Sequence, residues 1–363
     1  MENINTLQAL LSTYVNQLTY VATEWYFIAS SCIFAYLVYK NSTITIDSII
    51  NPDRAHINVF SRIINFFNFL FPKKYYFHRS TKTDLLYLLS FPLIAGIFFK
   101  PALVFGTAAF AYSATNMVLS TIFGDVIPSN PVSGSKLVLL SLGLTLSAAL
   151  AMDFAFFIHH YLMHKIKFLW EFHKVHHSAE TLTPLTDYRL HPIELFTIAH
   201  AKGLGLGFSQ GVFNYAFGEP IEVTTLLGLN AVYCIYIFLA YPLRHSHVWV
   251  SYGQRLNHYF ISPAQHQIHH SLAPKHWDKN FGGFFAIWDR MFGTLYVPKE
   301  KEDLTYGLSN GDTAQYQNFW NLYWLPFKTA SRTKSGLITV IVLTLMFLIF
   351  STLSMVRLFS MLF

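Results

Sequence analysis

The chain has 363 residues, of which 53% are hydrophobic, 17% aromatic and only 12% charged, against about 25% charged in an ordinary globular protein. A soluble chain this apolar could not cover its core with polar surface, so the composition excludes a conventional pair or trio of soluble domains and points to an integral membrane protein. The net charge of +6 fits either nucleic acid or basic loops facing the cytoplasm, and the positions of the basic residues decide between them.

In chain order, the first twenty residues have neither a basic n-region nor a cleavable pattern, so no secretory signal peptide is expected. Long apolar runs then cover 25–39, 85–99, 102–123, 137–158, 195–217, 222–243 and 336–356. Most approach the roughly 20 residues a helix needs to cross the hydrocarbon core, and in lipid they must be helical because every backbone group needs an internal partner. The two cysteines, Cys32 and Cys234, fall inside such runs, which argues against a disulfide framework or a cysteine-based zinc site.

Lys and Arg collect in three segments, with seven in 40–84, four in 165–194 and ten in 244–334; 124–135 and 218–221 contain none. The positive-inside rule puts the three basic segments in the cytoplasm and the other two outside, and no nucleic acid is implied. With one full crossing plus a re-entrant or interfacial helix in 85–123, interrupted at Lys100-Pro101, the chain makes six crossings. Both termini then lie outside the cytoplasm.

Fifteen of the 17 histidines lie between 159 and 276, where predicted helices leave the membrane on the basic side. His160 and His164 are four apart and so share a helical face. His173, His176 and His177 in "HKVHH" are spaced i, i+3, i+4, and His266, His269 and His270 in "HQIHH" repeat this. His245 and His247 stand at the end of another predicted crossing. A lone histidine is usually structural, as His56, His78 and His200 are read to be. However, an HxxHH window arises by chance only about 0.04 times in a chain of this histidine content, and here there are two. Neutral imidazole is a good ligand for iron, zinc and copper, and clustered rings left without metal would repel one another once protonated.

Eight or nine imidazoles exceed the three or four ligands of a zinc site, and HExxH is absent, so zinc-protease chemistry has no base in the expected place. Haem ligation needs paired histidines deep in facing helices, whereas these sit in adjacent turns at the membrane edge. A non-haem di-iron centre fits best.

HxxxH, HxxHH and a final HxxHH among membrane helices resemble the fatty acid hydroxylase/sterol desaturase superfamily of integral membrane di-iron oxygenases. "DFAFFIHHYLMHKIKFLWEFHKVHHSAE", "YRLHPIE" and "SPAQHQIHHSLAPKHWDKNFGGFFAIWDRMFGTLYVP" look like its core blocks, over about 150–298. The resemblance implies an all-α fold, a polytopic membrane bundle with a cytoplasmic His-rich di-iron cap. It also implies metal ligation by His160, His164, His173, His176, His177, His245, His266, His269 and His270. Some members carry a tenth histidine four residues before the position of His245; this chain has Tyr241 there, with His247 or His191 as candidates to compensate. The domains are then 1–135 (N-terminal membrane helices and basic loop), 136–300 (di-iron core) and 301–363 (linker and C-terminal membrane helix). The implied activity is O2-dependent hydroxylation or desaturation of a lipid C–H bond. The chain contains no fused haem, flavin or ferredoxin motif, so electrons must come from a separate carrier: a cytochrome b5-like protein, a ferredoxin or a flavoprotein reductase.

Asp153, an ionisable residue inside an apolar run, is usually functional or paired and is expected to accept from a ligand N–H. Asp187, Arg189, His191, Glu194 and His247 are further candidates to orient ligands, while Asp289 and Arg290 are expected to pin the closing loop. "GLGLG" at 203–207 follows no strand, so it reads as close helix packing rather than a phosphate loop. The competing function is a non-redox metal-binding membrane protein or metal transporter, which needs its ligands near the bilayer midplane; these lie at one face.

Overall fold

The computed structural model describes residues 25–50, 59–98, 101–125, 132–218, 221–226, 229–332 and 338. The apolar run at 336–356 therefore lies outside the described residues, Ile338 excepted. Among the described residues the α-helices of six or more residues are α1 (Trp25–Ile50), α2 (Val59–Leu70), α3 (Arg79–Phe98), α4 (Pro101–Phe123), α5 (Gly134–Lys165), α6 (Lys167–His177), α7 (Pro192–Phe217), α8 (Ala231–Phe238), α9 (Pro263–His269), α10 (Ile287–Phe292) and α11 (Asn321–Ala330). The fold is mostly helical, as expected.

Helix α5 organises the molecule. Its 32 residues make a rod of about 48 Å, longer than the roughly 30 Å hydrocarbon core. Among the described residues it is the one helix both long and apolar enough to cross a membrane. Val138 and Leu139 on α5, Phe208 on α7 and Phe110 on α4 are exposed. In water such surface would be a liability; against acyl chains it is the matching solvent.

Helix α7 packs against both α4 and α5, and its glycines make this possible. A Cβ on Gly205 would lie 2.5 Å from the Ala151 carbonyl oxygen, and one on Gly207 would collide with the carbonyl of Ala108. Side chains are therefore excluded where the backbones touch, as in close membrane-helix packing. The Ser147 and Ser209 hydroxyls bond at 2.9 Å along the same α5–α7 seam.

The run 222–243 departs from expectation. It contains a short antiparallel pairing of Thr225–Leu226 with Leu229–Asn230, then the eight-residue α8 and a 3-10 turn at Tyr241–Arg244. Eight residues make about 12 Å of helix, too short to span a bilayer. Local chemistry breaks the run. The Asn230 side chain caps α8 by accepting from Val232 N and donates to Thr145 O at 3.0 Å. At the other end Ala240 adopts a left-handed conformation, φ 67°, before Pro242.

Arg189 ties the aqueous cap to the helices. It is fully buried (0% exposed). Its guanidinium donates to Val175 O (3.0 Å), Asp84 Oδ1 (2.8 Å), Ser178 Oγ (2.9 Å) and Tyr316 O (2.8 Å). One planar cation thus joins α3, the end of α6 and the segment before α11.

The α7 seam yields a test. Gly207→Val should destabilise the protein by on the order of 1–3 kcal/mol through overpacking, read as a lower unfolding temperature of the detergent-solubilised chain. Gly106→Ala, inside α4 where an added Cβ meets nothing within 4 Å, should leave that temperature unchanged or raise it slightly, because alanine is the better helix former.

Candidate metal centre

The nine histidines singled out from their spacing come together in two groups. His160, His164, His173, His177 and His269 form one; His176, His245, His266 and His270 form the other. Within each group the potential ligand atoms lie within 4.8 Å of one another. Each HxxHH box serves both groups. In the first box the i and i+4 rings, His173 and His177, enter the five-ring group and His176 the other. In the second box His266 and His270 enter the four-ring group and His269 crosses back. Helix geometry produces this division, since i and i+4 project nearly together and i+3 is rotated away from them.

The inward atoms are Nε2. His160 and His177 each place Nε2 3.1 Å from His173 Nε2. In the second group His245 Nε2 is 3.2 Å from His176 Nε2, 3.1 Å from His270 Nε2 and 2.9 Å from His266 Nε2. Two nitrogens bound to one ion at about 2.0–2.1 Å are themselves about 2.8–3.4 Å apart for right-angle to tetrahedral geometry. The spacing therefore matches edges of coordination polyhedra. His164 Nε2 and His269 Nε2 are buried without a hydrogen-bond partner, which is costly unless something else takes the lone pair. The donor set fits a pair of metal ions.

Contacts on the opposite nitrogen orient the rings. His160 Nδ1 lies 2.8 Å from Phe281 O, and His269 Nδ1 lies 2.8 Å from Lys279 O. His173 Nδ1 is 2.7 Å from Glu194 Oε1. His245 Nδ1 is 3.2 Å from Asp187 Oδ1. A carbonyl or carboxylate at Nδ1 selects the Nδ1–H tautomer and leaves the Nε2 lone pair facing inward. His266 differs, because its Nδ1 lies 2.6 Å from Arg244 Nη2, a donor. To present an Nε2 lone pair, His266 must bind as the imidazolate or Arg244 must turn away.

Burial favours the neutral form of His177, His269 and His270. Desolvation first, and neighbouring imidazoles second, hold His177 and His270 well below the ordinary histidine value. His269 is pushed down to about 3, chiefly by burial. Neutral rings are the ligand-competent form.

The other candidates divide. Glu194 and Asp187 touch imidazoles of the cage, as above. Asp153 does not: its carboxylate accepts from Phe284 N, Phe285 N and Trp288 Nε1 and so anchors the closing loop to α5. Arg189 is the cross-link described above. His191 caps α7, accepting from Ile193 N at 3.1 Å, and its Nε2 lies 3.2 Å from Tyr323 O. His247 stacks on Tyr75 with its Nε2 2.7 Å from Phe69 O. Neither His191 nor His247 supplies a tenth ligand, and Tyr241 instead lies under the Arg244 guanidinium. Asp289 does pin the loop, accepting from Phe281 N (2.8 Å), Gly282 N (2.7 Å) and Thr294 Oγ1 (2.6 Å); Arg290 is exposed. Asn280 adopts φ 58°, a conformation asparagine tolerates well, and donates to Gln265 O at 3.0 Å. Asn280 and Asp289 together aim the Phe281 carbonyl at His160.

Trp170 and Trp277 carry no signal in the spacing argument. With His164, His177, His269 and His270 they line a cavity of about 240 Å³. Trp170 lies 4.9 Å from the His164 ring.

Fold and site define a class: a mostly helical protein with a membrane-length helix whose end enters a largely buried nine-imidazole cage. Residues 145–294 match the family model described as fatty acid hydroxylase, a match that supports the fatty acid hydroxylase/sterol desaturase superfamily for that region. No curated protein and no solved structure matches the chain. The family and the apolar helix together indicate a membrane location, lipid oxidation and oxidoreductase activity.

Two outcomes check the site. Glu194→Gln should weaken metal retention about 10–100-fold, measured by competition with a chelator. In metal-free protein, the folded-state values of His191 (about 4) and His269 (about 3) lie below the ordinary 6.5. The unfolded chain then binds more protons below pH 6.5, so stability should fall as pH drops from about 6.5 towards 4. A flat or rising unfolding temperature across that window would contradict the buried, neutral assignment.

Proposed function

We propose that the protein is an O2-dependent, non-haem di-iron oxygenase that hydroxylates or desaturates an unactivated C–H bond of a lipid. The observation that carries this reading is the division of nine imidazoles, eight of them buried, into two groups of metal-coordinating spacing, within a region of the matching family. His160, His164, His173, His177 and His269 would hold one ion, and His176, His245, His266 and His270 the other. A lipid C–H bond has no acidic proton, so the bound metals would supply the oxidative chemistry that side chains lack.

The chain's own residues then do the rest. Phe281 O, Lys279 O, Glu194 and Asp187 hold the rings in orientation. Phe157, Phe281 and Phe292, with ring centroids 5.0–6.4 Å apart, exclude water beside His160. The cavity flanked by Trp170 and Trp277 offers a route to the five-ring group for a small molecule. Further parts of the proposal are a multi-pass arrangement with the metal site at the cytoplasmic face, lateral entry of substrate from the bilayer, and electrons delivered by a separate protein carrier.

A non-redox metal transporter is disfavoured by ring placement. A transporter holds its ions near the midplane, whereas these rings gather around the end of α5 and in the cap.

Lipid extracts of cells with and without the protein, compared by mass spectrometry, provide the test. A +16 or −2 mass change that requires the wild-type chain is expected. His176→Ala should abolish the change while the protein still inserts into membranes. Unchanged product with His176→Ala would remove the metal assignment.

A further inference from the structure

Helix α2 presents three faces. Phe60, Ile63, Ile64, Phe67 and Phe71 are all exposed. They recur at i, i+3, i+4, i+7 and i+11, and Phe71 N still bonds Phe67 O at 2.8 Å, so they share one arc about 100° wide. Asn65 and Asn68, also exposed, lie on a second arc. The third arc faces inward, where Phe66, Phe69 and Leu70 pack against the cluster that holds Leu243, Val248 and Val250. There Phe69 O lies 2.7 Å from His247 Nε2, which fixes α2 against the turn that carries His245. The exposed apolar arc takes no part in the metal cage.

Position and charge together identify what covers that arc. Phe66 meets the rings of Tyr36 and Tyr39 on α1 at 5.5 and 5.6 Å. These tyrosines stand at the end of the apolar run 25–39, immediately before Lys40. Helix α2 therefore sits at the level where an apolar stretch gives way to charge. Residues 54–83 contain six Lys or Arg and no Asp or Glu. Lys73 and Lys74 follow α2 on a single helical turn, Lys73–Tyr76, and are exposed. Tyr75 and Tyr76 beside them are of the amphipathic type that gathers at membrane interfaces. Arg79, in contrast, is already paired with Glu180. A protein partner would have to bury the apolar arc and supply acid to the lysines. A bilayer surface with anionic head groups does both at once.

We propose that α2 lies flat in the head-group layer of the membrane, its apolar arc among the upper acyl chains and Lys73 and Lys74 on anionic lipid head groups. The partner is thus a bilayer surface that carries anionic lipid, and this surface is separate from the metal cage. Asn65 and Asn68 then face water, and the inward arc keeps its grip on the turn before His247.

The test uses the full-length protein in nanodiscs, with a small fluorophore on a cysteine placed by Phe67→Cys or Asn68→Cys. The unsubstituted chain gives the background from Cys32 and Cys234. Lipids brominated high on the acyl chain should quench the label at 67 and leave the label at 68 largely unquenched. A water-soluble quencher should show the reverse order. Energy transfer from the label at 68 should find acyl-labelled phosphatidylserine enriched about fivefold or more over acyl-labelled phosphatidylcholine. That enrichment should disappear in about 1 M salt and in the double variant Lys73→Gln/Lys74→Gln. Equal lipid quenching at 67 and 68, or an enrichment that survives salt or the double substitution, would overturn the proposal. Quenching at 67 that is present in one-chain discs but lost in two-chain discs would assign the arc to a second copy and overturn it as well. The salt dependence needs no lysine substitution, so the outcome is decided even if the double variant fails to fold.

Discussion

Nine imidazoles gathered in two groups, with the potential ligand atoms of each group within 4.8 Å of one another, are the constraint on which the cap depends. Neutral rings so arranged have more lone pairs than protons to share, and protonated rings would repel. Burial favours neutral rings at His177, His269 and His270, and acceptors at Nδ1 fix the direction of His160, His173 and His269. Two of those acceptors, the carbonyls of Phe281 and Lys279, belong to the closing loop. The loop is held in turn by Asp289, Asn280 and, through Asp153, by the membrane helix itself. The cage is therefore coupled to α5 both by the histidines α5 carries and by the carboxylate it sends to the loop.

The "RLHPIE" stretch shows how closely structure and chemistry are interleaved. Arg189 fastens α3 to the end of α6, His191 caps α7, and Glu194, on the first turn of α7, meets His173. Three polar residues within six positions perform three different tasks, of which one touches the cage. Shifting any of these elements would move rings whose mutual spacing allows only a few tenths of an ångström.

The convergence of the histidines was legible because imidazoles at i, i+3 and i+4 in two places have few explanations other than a shared ligand. Helix geometry separates i+3 from i and i+4, but which group each ring joins depends on how α6 and α9 are rotated against each other, and spacing does not show that. The acceptors of His160 and His269 are backbone carbonyls, which no side-chain pattern reveals. Asp153, Arg189, His191 and His247 were expected at the ligands because buried polar residues near a site can serve either the site or the scaffold, and here they serve the scaffold. The run 222–243 read as one crossing because its composition is apolar. Asn230 and the left-handed Ala240 divide it, and the turn that follows α8 brings His245 into the cage.

The most direct measurement is the metal content of the full-length protein purified without chelator, by inductively coupled plasma mass spectrometry. Two groups of imidazoles predict about two irons per chain, falling to about one when His266 and His270 are both replaced by alanine. One ion per chain in the wild type, or stoichiometric zinc with no uptake of iron, would contradict the account.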